Sequence, residues 1–159
     1  MTVQALISTD IISEDSMHGK YMCFSIKDGD YGIEISYVTE IIEVQEMTPV
    51  PKTHAYVKGI TNLRGTIVPV IDMRLRFGCD EIAYTDRTCI IVLSMDDADI
   101  GIIVDEVQEV LEIDDNDIQP PPKLGSESIS HSFIKAIGVS GDDIKQIIDI
   151  NRIFEVNDY

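Results

Sequence analysis

Positive charge is what this sequence lacks most. Its 159 residues carry 12 Lys and Arg against 29 Asp and Glu, a formal net charge of −17. Binding to DNA, RNA or an anionic membrane surface relies on cations that displace phosphate counterions, so this balance argues against those roles. Long apolar runs are missing as well: none approaches the roughly 20 residues needed to span a bilayer. The first 20 residues have no basic stretch ahead of an apolar core and do not read as a secretory signal. Cysteine is scarce. Cys23, Cys79 and Cys89 are odd in number and form no CxxC pair. They read as reduced thiols in a cytoplasmic protein, not as a disulfide framework.

Signals of catalysis are equally thin. His18, His54 and His131 are far apart and fit no zinc-binding spacing. Asp28, Asp30 and Glu34 begin like a calcium loop, but Gly32 stands where an oxygen ligand belongs and Ile33 where glycine is required. A hairpin turn explains the same residues. No GxSxG elbow, GxxxxGK[ST] loop or GxGxxG fingerprint occurs. Cys23 and Cys89 sit among apolar neighbours, the setting of inert core thiols. The residues therefore nominate no catalytic group, no metal site and no cofactor, and the chain reads as a non-enzyme.

What is present is β-structure. Apolar residues make up 44% of the chain, enough to build a packed interior. Short runs rich in Val, Ile, Tyr and Thr are separated by Gly, Asp and Asn. They predict strands at Lys20–Lys27, Tyr31–Ser36, Val38–Val44, Val57–Leu63 and Thr66–Asp72. Five more follow at Cys89–Met95, Ile100–Asp105, Val107–Ile113, Ile134–Val139 and Ile144–Ile150. The two sets match because the chain repeats itself. Residues 20–44 slide onto 89–113 without a gap, and eight of the 25 pairs are identical, among them Asp28/Asp97, Gly32/Gly101, Val38/Val107 and Glu40/Glu109. Chance would give about one or two. A second block places Ile67–Met73 over Ile144–Ile150 and Phe77 over Phe154.

The fold expected is all-β: two five-stranded units of SH3 or OB size, each too small to stand alone, packed around a shared core with short helical turns. Residues 1–19 read as a flexible tail and 20–156 as the folded part. The first repeat covers about 20–77, the second about 88–154, with a polar linker at 78–86. Pro120-Pro121-Pro122 fixes an extended connector.

The most distinctive stretch is Lys58-Gly59-Ile60-Thr61-Asn62-Leu63-Arg64-Gly65-Thr66-Ile67-Val68-Pro69-Val70-Ile71-Asp72-Met73-Arg74. Two apolar strands flank a tight turn at Arg64-Gly65, where Gly65 can supply a positive φ. Arg64 then stands at a hairpin tip in a very acidic protein. Its guanidinium fork suits a carboxylate, either internal, such as Glu40, or on another molecule. Pro69 has no N–H to donate and predicts an edge strand or a bulge. The second repeat has Ser140-Gly141-Asp142-Asp143 at this turn and no arginine.

These residues carry a resemblance. The run GITNLRGTIVPVIDMR is similar to the hallmark segment of CheW-type chemotaxis coupling proteins. Tyr31-Gly32-Ile33 with Val38-Thr39-Glu40-Ile41 resembles their early segment. Gly101 to Val107 with Ile118-Gln119-Pro120-Pro121-Pro122 resembles a later one. The resemblance covers about residues 20–156. It implies two five-stranded SH3-like barrels around a common core. It also implies a non-catalytic adaptor, without cofactor, linking the cytoplasmic tips of chemoreceptors to the regulatory domain of the histidine kinase CheA in membrane-associated arrays. Carried over position by position, partner binding falls to Val38, Glu40, Gly59, Asn62, Arg64 and Gly65. Val38 and Gly59 suit a core or turn position equally well.

Overall fold

The computed structural model describes residues 17–96, 98–123 and 130–154. The expected tail up to residue 16, the turn residue Asp97 and the loop at 124–129 lie outside the described residues. Among the described residues eleven strands form: β1 (Lys20–Ile26), β2 (Gly29–Glu34), β3 (Val38–Glu43), β4 (Val57–Leu63), β5 (Thr66–Asp72), β6 (Cys89–Met95), β7 (Ala98–Val104), β8 (Glu106–Glu112), β9 (Ile118–Gln119), β10 (Ile134–Ser140) and β11 (Asp143–Ile148). One-turn helices α1 (Met73–Arg76) and α2 (Ile150–Ile153) follow β5 and β11. All ten strands read from the sequence are there. The eleventh, β9, has two residues and pairs only with β10, too short to leave an alternating pattern.

The strands make two sheets, ordered β8-β1-β2-β11-β10-β9 and β3-β6-β7-β5-β4. Setting β9 aside, each order turns into the other when β1 is exchanged for β6, β2 for β7, β3 for β8, β4 for β10 and β5 for β11. The register agrees residue by residue. Val38 faces Leu93 as Val107 faces Phe24, and Val70 faces Gly101 as Ile147 faces Gly32. The repeat in the sequence is thus a two-fold repeat in space, and the fold is all-β with two SH3-like barrels.

Each sheet draws strands from both halves, so segments 20–77 and 88–154 do not each close a sheet of their own. The β1–β2 hairpin sits between β8 and β11, and the β6–β7 hairpin between β3 and β5. Exchanging hairpins ties two small units into one, which answers the shortage of buried surface in a unit of about 60 residues.

Alternation along each strand divides the side chains between cores. Met22, Phe24, Ile33, Ile91, Leu93 and Ile102 face a large core common to both sheets. Val70, Ile90, Val92 and Ile103 point the other way into a small core private to the second sheet. Val107 lies at the margin of the common core and is half-buried. Cys23 and Cys89 are shielded, and burial pushes both thiols up to about 11, so neither is a thiolate at neutral pH.

Arginines fasten the halves together. Arg74 grips Asp105 through Nε at 2.9 Å and Nη2 at 2.7 Å, and Asp105 also accepts the Lys27 backbone N–H at 2.7 Å. Arg76 is buried. Its guanidinium lies 4.4 Å from the Tyr56 ring centre and 4.7 Å from that of Phe133, and Nε donates to the Ile153 carbonyl at 2.9 Å. Stacking on two aromatic faces with a carbonyl acceptor is how a cation is accommodated away from water.

Of the two expectations for Pro69, the edge strand is corrected, while a bulge does lie beside it, where the β4–β5 register slips between Val57 and Gly59. The strand of Pro69, β5, is interior, lying between β7 and β4. In a two-residue hairpin the pair flanking the turn, here Leu63↔Thr66, exchanges hydrogen bonds, and pairs alternate from there. Ile60↔Pro69 is then a pair that exchanges none. The ring nitrogen faces β7, whose pairing with β5 starts one residue later at Val70↔Gly101.

Candidate protein-interaction site

Arg64 has φ 50° and Gly65 φ 88°, the two positive values of a type I′ turn. The Asn62 side chain holds the turn from inside: its Oδ1 accepts the Gly65 backbone N–H at 2.8 Å. Arg64 is thereby carried to the tip with 73% of its side chain exposed.

The guanidinium does not stand alone. Nη1 donates to Oε1 of Glu40 at 3.2 Å, and Nη2 donates to Oε2. Glu40 belongs to β3, at the opposite end of the strand order from β4, so this fork joins the two edges and curls the sheet into a barrel. Other contacts run along the same seam. Gln45 Nε2 donates to Thr61 Oγ1 at 2.6 Å, and Thr48 exchanges backbone hydrogen bonds of 2.8 and 2.9 Å with Ile60.

Glu40 reaches Arg64 because of a bulge. The β3–β6 register slips between Val38 and Glu40, leaving Thr39 as the extra residue, with its hydroxyl donating to the Val92 carbonyl at 3.1 Å. Without the slip, Glu40 would share a face with Val38 and point into the common core. With it, Glu40 turns to the face of Ile42, which lines the private core. Glu40 keeps 17% of its side chain exposed. The Glu40 carboxylate beside Arg64 stabilises the charged guanidinium.

The six residues carried over by resemblance therefore occupy three levels. Glu40, Asn62, Arg64 and Gly65 meet at the hairpin tip. Gly59 lies further along β4 and is buried at φ 147°, and a Cβ there would come within 2.4 Å of the Thr48 carbonyl oxygen. Val38 is 5% exposed and packs in the common core. Those two shape the seam from below and present no surface of their own. Gly59→Ala is expected to destabilise the protein by about 1–3 kcal/mol, from left-handed backbone strain plus displacement of the 48–60 pairing. A urea titration of the variant checks this, and an unchanged midpoint would count against it.

One surface residue escaped the resemblance. Ile67, opposite Asn62 on the hairpin, is 56% exposed. Its neighbour Val68 is buried, so period-two alternation could have flagged it. Its repeat partner Ile144 is exposed too. The tip thus presents a cation, an amide and an aliphatic side chain together, a surface that suits another protein better than a small reactant. The corresponding tip on the other barrel, β10–β11, carries Gly141 and Asp142 and lacks an arginine. Among the described residues no three of His, Cys, Asp and Glu gather to hold a metal ion. No helix among them is long and apolar enough to cross a membrane.

Comparison with known proteins matches residues 20–158 to the CheW-like domain. The chain is 30% identical over 148 residues to the chemotaxis protein CheW of Klebsiella aerogenes, covering 93% of this chain and 89% of that one. It is 32% identical over 136 residues to CheW of Bacillus subtilis, covering 86% of each. Among solved structures, the scaffolding protein TtCheW from Thermoanaerobacter tengcongensis superposes with a TM-score of 0.80 at 36% identity, covering 87% of this chain and 94% of that one.

Proposed function

This chain belongs to the CheW-like domain family, and we propose on that basis that it is a non-catalytic adaptor joining the cytoplasmic tips of chemoreceptors to the histidine kinase CheA. Its relatives are named chemotaxis and scaffolding proteins, and the matched region takes in the whole described fold. The observation that carries the reading is the Arg64 tip. In a chain of net charge −17 it displays a cation, forked by Glu40, beside an exposed isoleucine.

Partner binding is assigned to Glu40, Asn62, Arg64 and Gly65 at the surface, with Val38 and Gly59 holding the seam beneath them. One barrel packs against the kinase regulatory domain, and the hairpin residues are assigned to partner binding as a set. The receptor tip is helical and takes an apolar groove between barrels. The protein then resides in the cytoplasm, drawn to the membrane by its partners.

Calorimetric titration with the isolated CheA regulatory domain of the same organism tests this. Saturable 1:1 binding is expected. No heat at about 100 µM, with both proteins folded, would overturn the partner assignment while leaving the fold intact.

A further inference from the structure

The repeat exposes a second candidate site, away from the Arg64 tip. By the spatial two-fold, Tyr31 corresponds to Ile100, Phe77 to Phe154 and Phe133 to Tyr56. The last equivalence is fixed by matched backbone bonds: the Asp72 N–H donates to the Tyr56 carbonyl, and the Asp149 N–H to that of Phe133, each at 2.8 Å. In one half the three rings fill the space between sheet and helical turn. Tyr31 and Phe77 lie 5.2 Å apart, Phe77 and Phe133 5.5 Å apart, and all three are buried. In the other half the counterpart of Tyr31 is Ile100, which carries no ring. There a groove of about 540 Å³ opens, lined by Tyr56, Pro69, Ile71, Ile100, Ile153 and Phe154.

The packed half states what fits the open one: an aromatic ring, against Phe154 and Tyr56, in the place Tyr31 takes in its twin. The mouth adds a charge. Lys52 lines the groove, has φ 64°, and makes no hydrogen bond or ion pair among the described residues. Lys58, Lys135 and Arg74, by contrast, are engaged by Glu81, Glu34 and Asp105. A free ammonium held on positive-φ backbone at the rim of an apolar cleft suits a carboxylate. His54, stacked on Tyr56 at 4.9 Å, walls the same side.

We propose that this groove is a docking site for a partner protein segment in which an aromatic side chain is flanked by a carboxylate, the ring filling the place of the missing Tyr31 and the carboxylate meeting Lys52. The site lies at the end of β5 away from the Arg64 turn.

The test is isoleucine-methyl NMR of the full chain with a blocked Gly-Asp-Phe-Gly peptide. The Ile100 and Ile153 methyls should shift saturably. Affinity should fall about tenfold when the peptide aspartate becomes asparagine, or in Lys52→Glu, which is on the surface and leaves the core untouched. Ile100→Tyr copies the packed half and should abolish binding; its thermal melt reports whether it folds, and Lys52→Glu decides alone if it does not. No shift at about 5 mM peptide, or shifts indifferent to Lys52→Glu, would overturn the proposal. Free 3-phenylpropionate binding as tightly as the peptide would overturn the protein partner in favour of a small aromatic acid.

Discussion

Ile102→Asp is expected to abolish the cooperative thermal transition. Ile102 is 0% exposed. It sits in the middle of β7, opposite Ile91 on β6 and Ile71 on β5, and faces the core common to both barrels. Burying the charge, or protonating the group to avoid burying it, costs several kcal/mol. The lost isoleucine packing adds about 2–5 kcal/mol, against a total stability of about 5–15 kcal/mol for a domain. Both barrels should be lost together, because the hairpin that carries Ile102 belongs by sequence to one half and by pairing to the other. Far-ultraviolet circular dichroism on heating reads the outcome. Ile67→Asp is the control: the same chemistry on the exposed side of β5 should leave the melt in place. A native melt for Ile102→Asp would mean that β7 does not face the common core.

Arg64→Glu should weaken binding of the kinase regulatory domain by at least about 100-fold, the scale of a central charged anchor. The fold should survive, since the side chain is mostly in solvent and such pairs contribute little to stability. Two effects combine at the tip. The cation offered to a partner is gone, and two carboxylates now face each other across the seam that closes the barrel. The double variant Arg64→Glu with Glu40→Arg separates them. It restores an ion pair inside the chain without restoring the cation at the hairpin tip. Recovered binding would make Arg64 a positioning residue for the seam. Binding still lost would make it a direct contact. Wild-type affinity in the single variant would remove the tip from the site altogether.

The tip was legible before any coordinates because its demands are local. A two-residue turn needs positive φ, Gly65 provides it, and the residue before it is displayed. Whether Arg64 pairs inside the chain was not legible. Glu40 is 24 residues away, and its direction depends on the Thr39 bulge, which exists only against β6. Lys145 makes the same point. The repeat sets it over Val68, yet both are buried. The lysine is tolerated because Gln108 and Asp30 approach its ammonium at 3.5 and 3.9 Å, partners contributed by β8 and β2.

By itself the sequence determined where the strands run, where the chain turns, that it repeats, and that its surface is acidic. Each of these follows from period-two patterning, backbone freedom at glycine, or a charge count, all readable within a few residues. Only the tertiary structure decided that the halves exchange hairpins, that Pro69 sits in an interior strand, that Val38 is buried in the common core, and that Ile100 leaves a groove where Tyr31 leaves none. A strand shows the same alternation whichever strand it pairs with, so its neighbours are chosen by the surface that the whole chain buries at once.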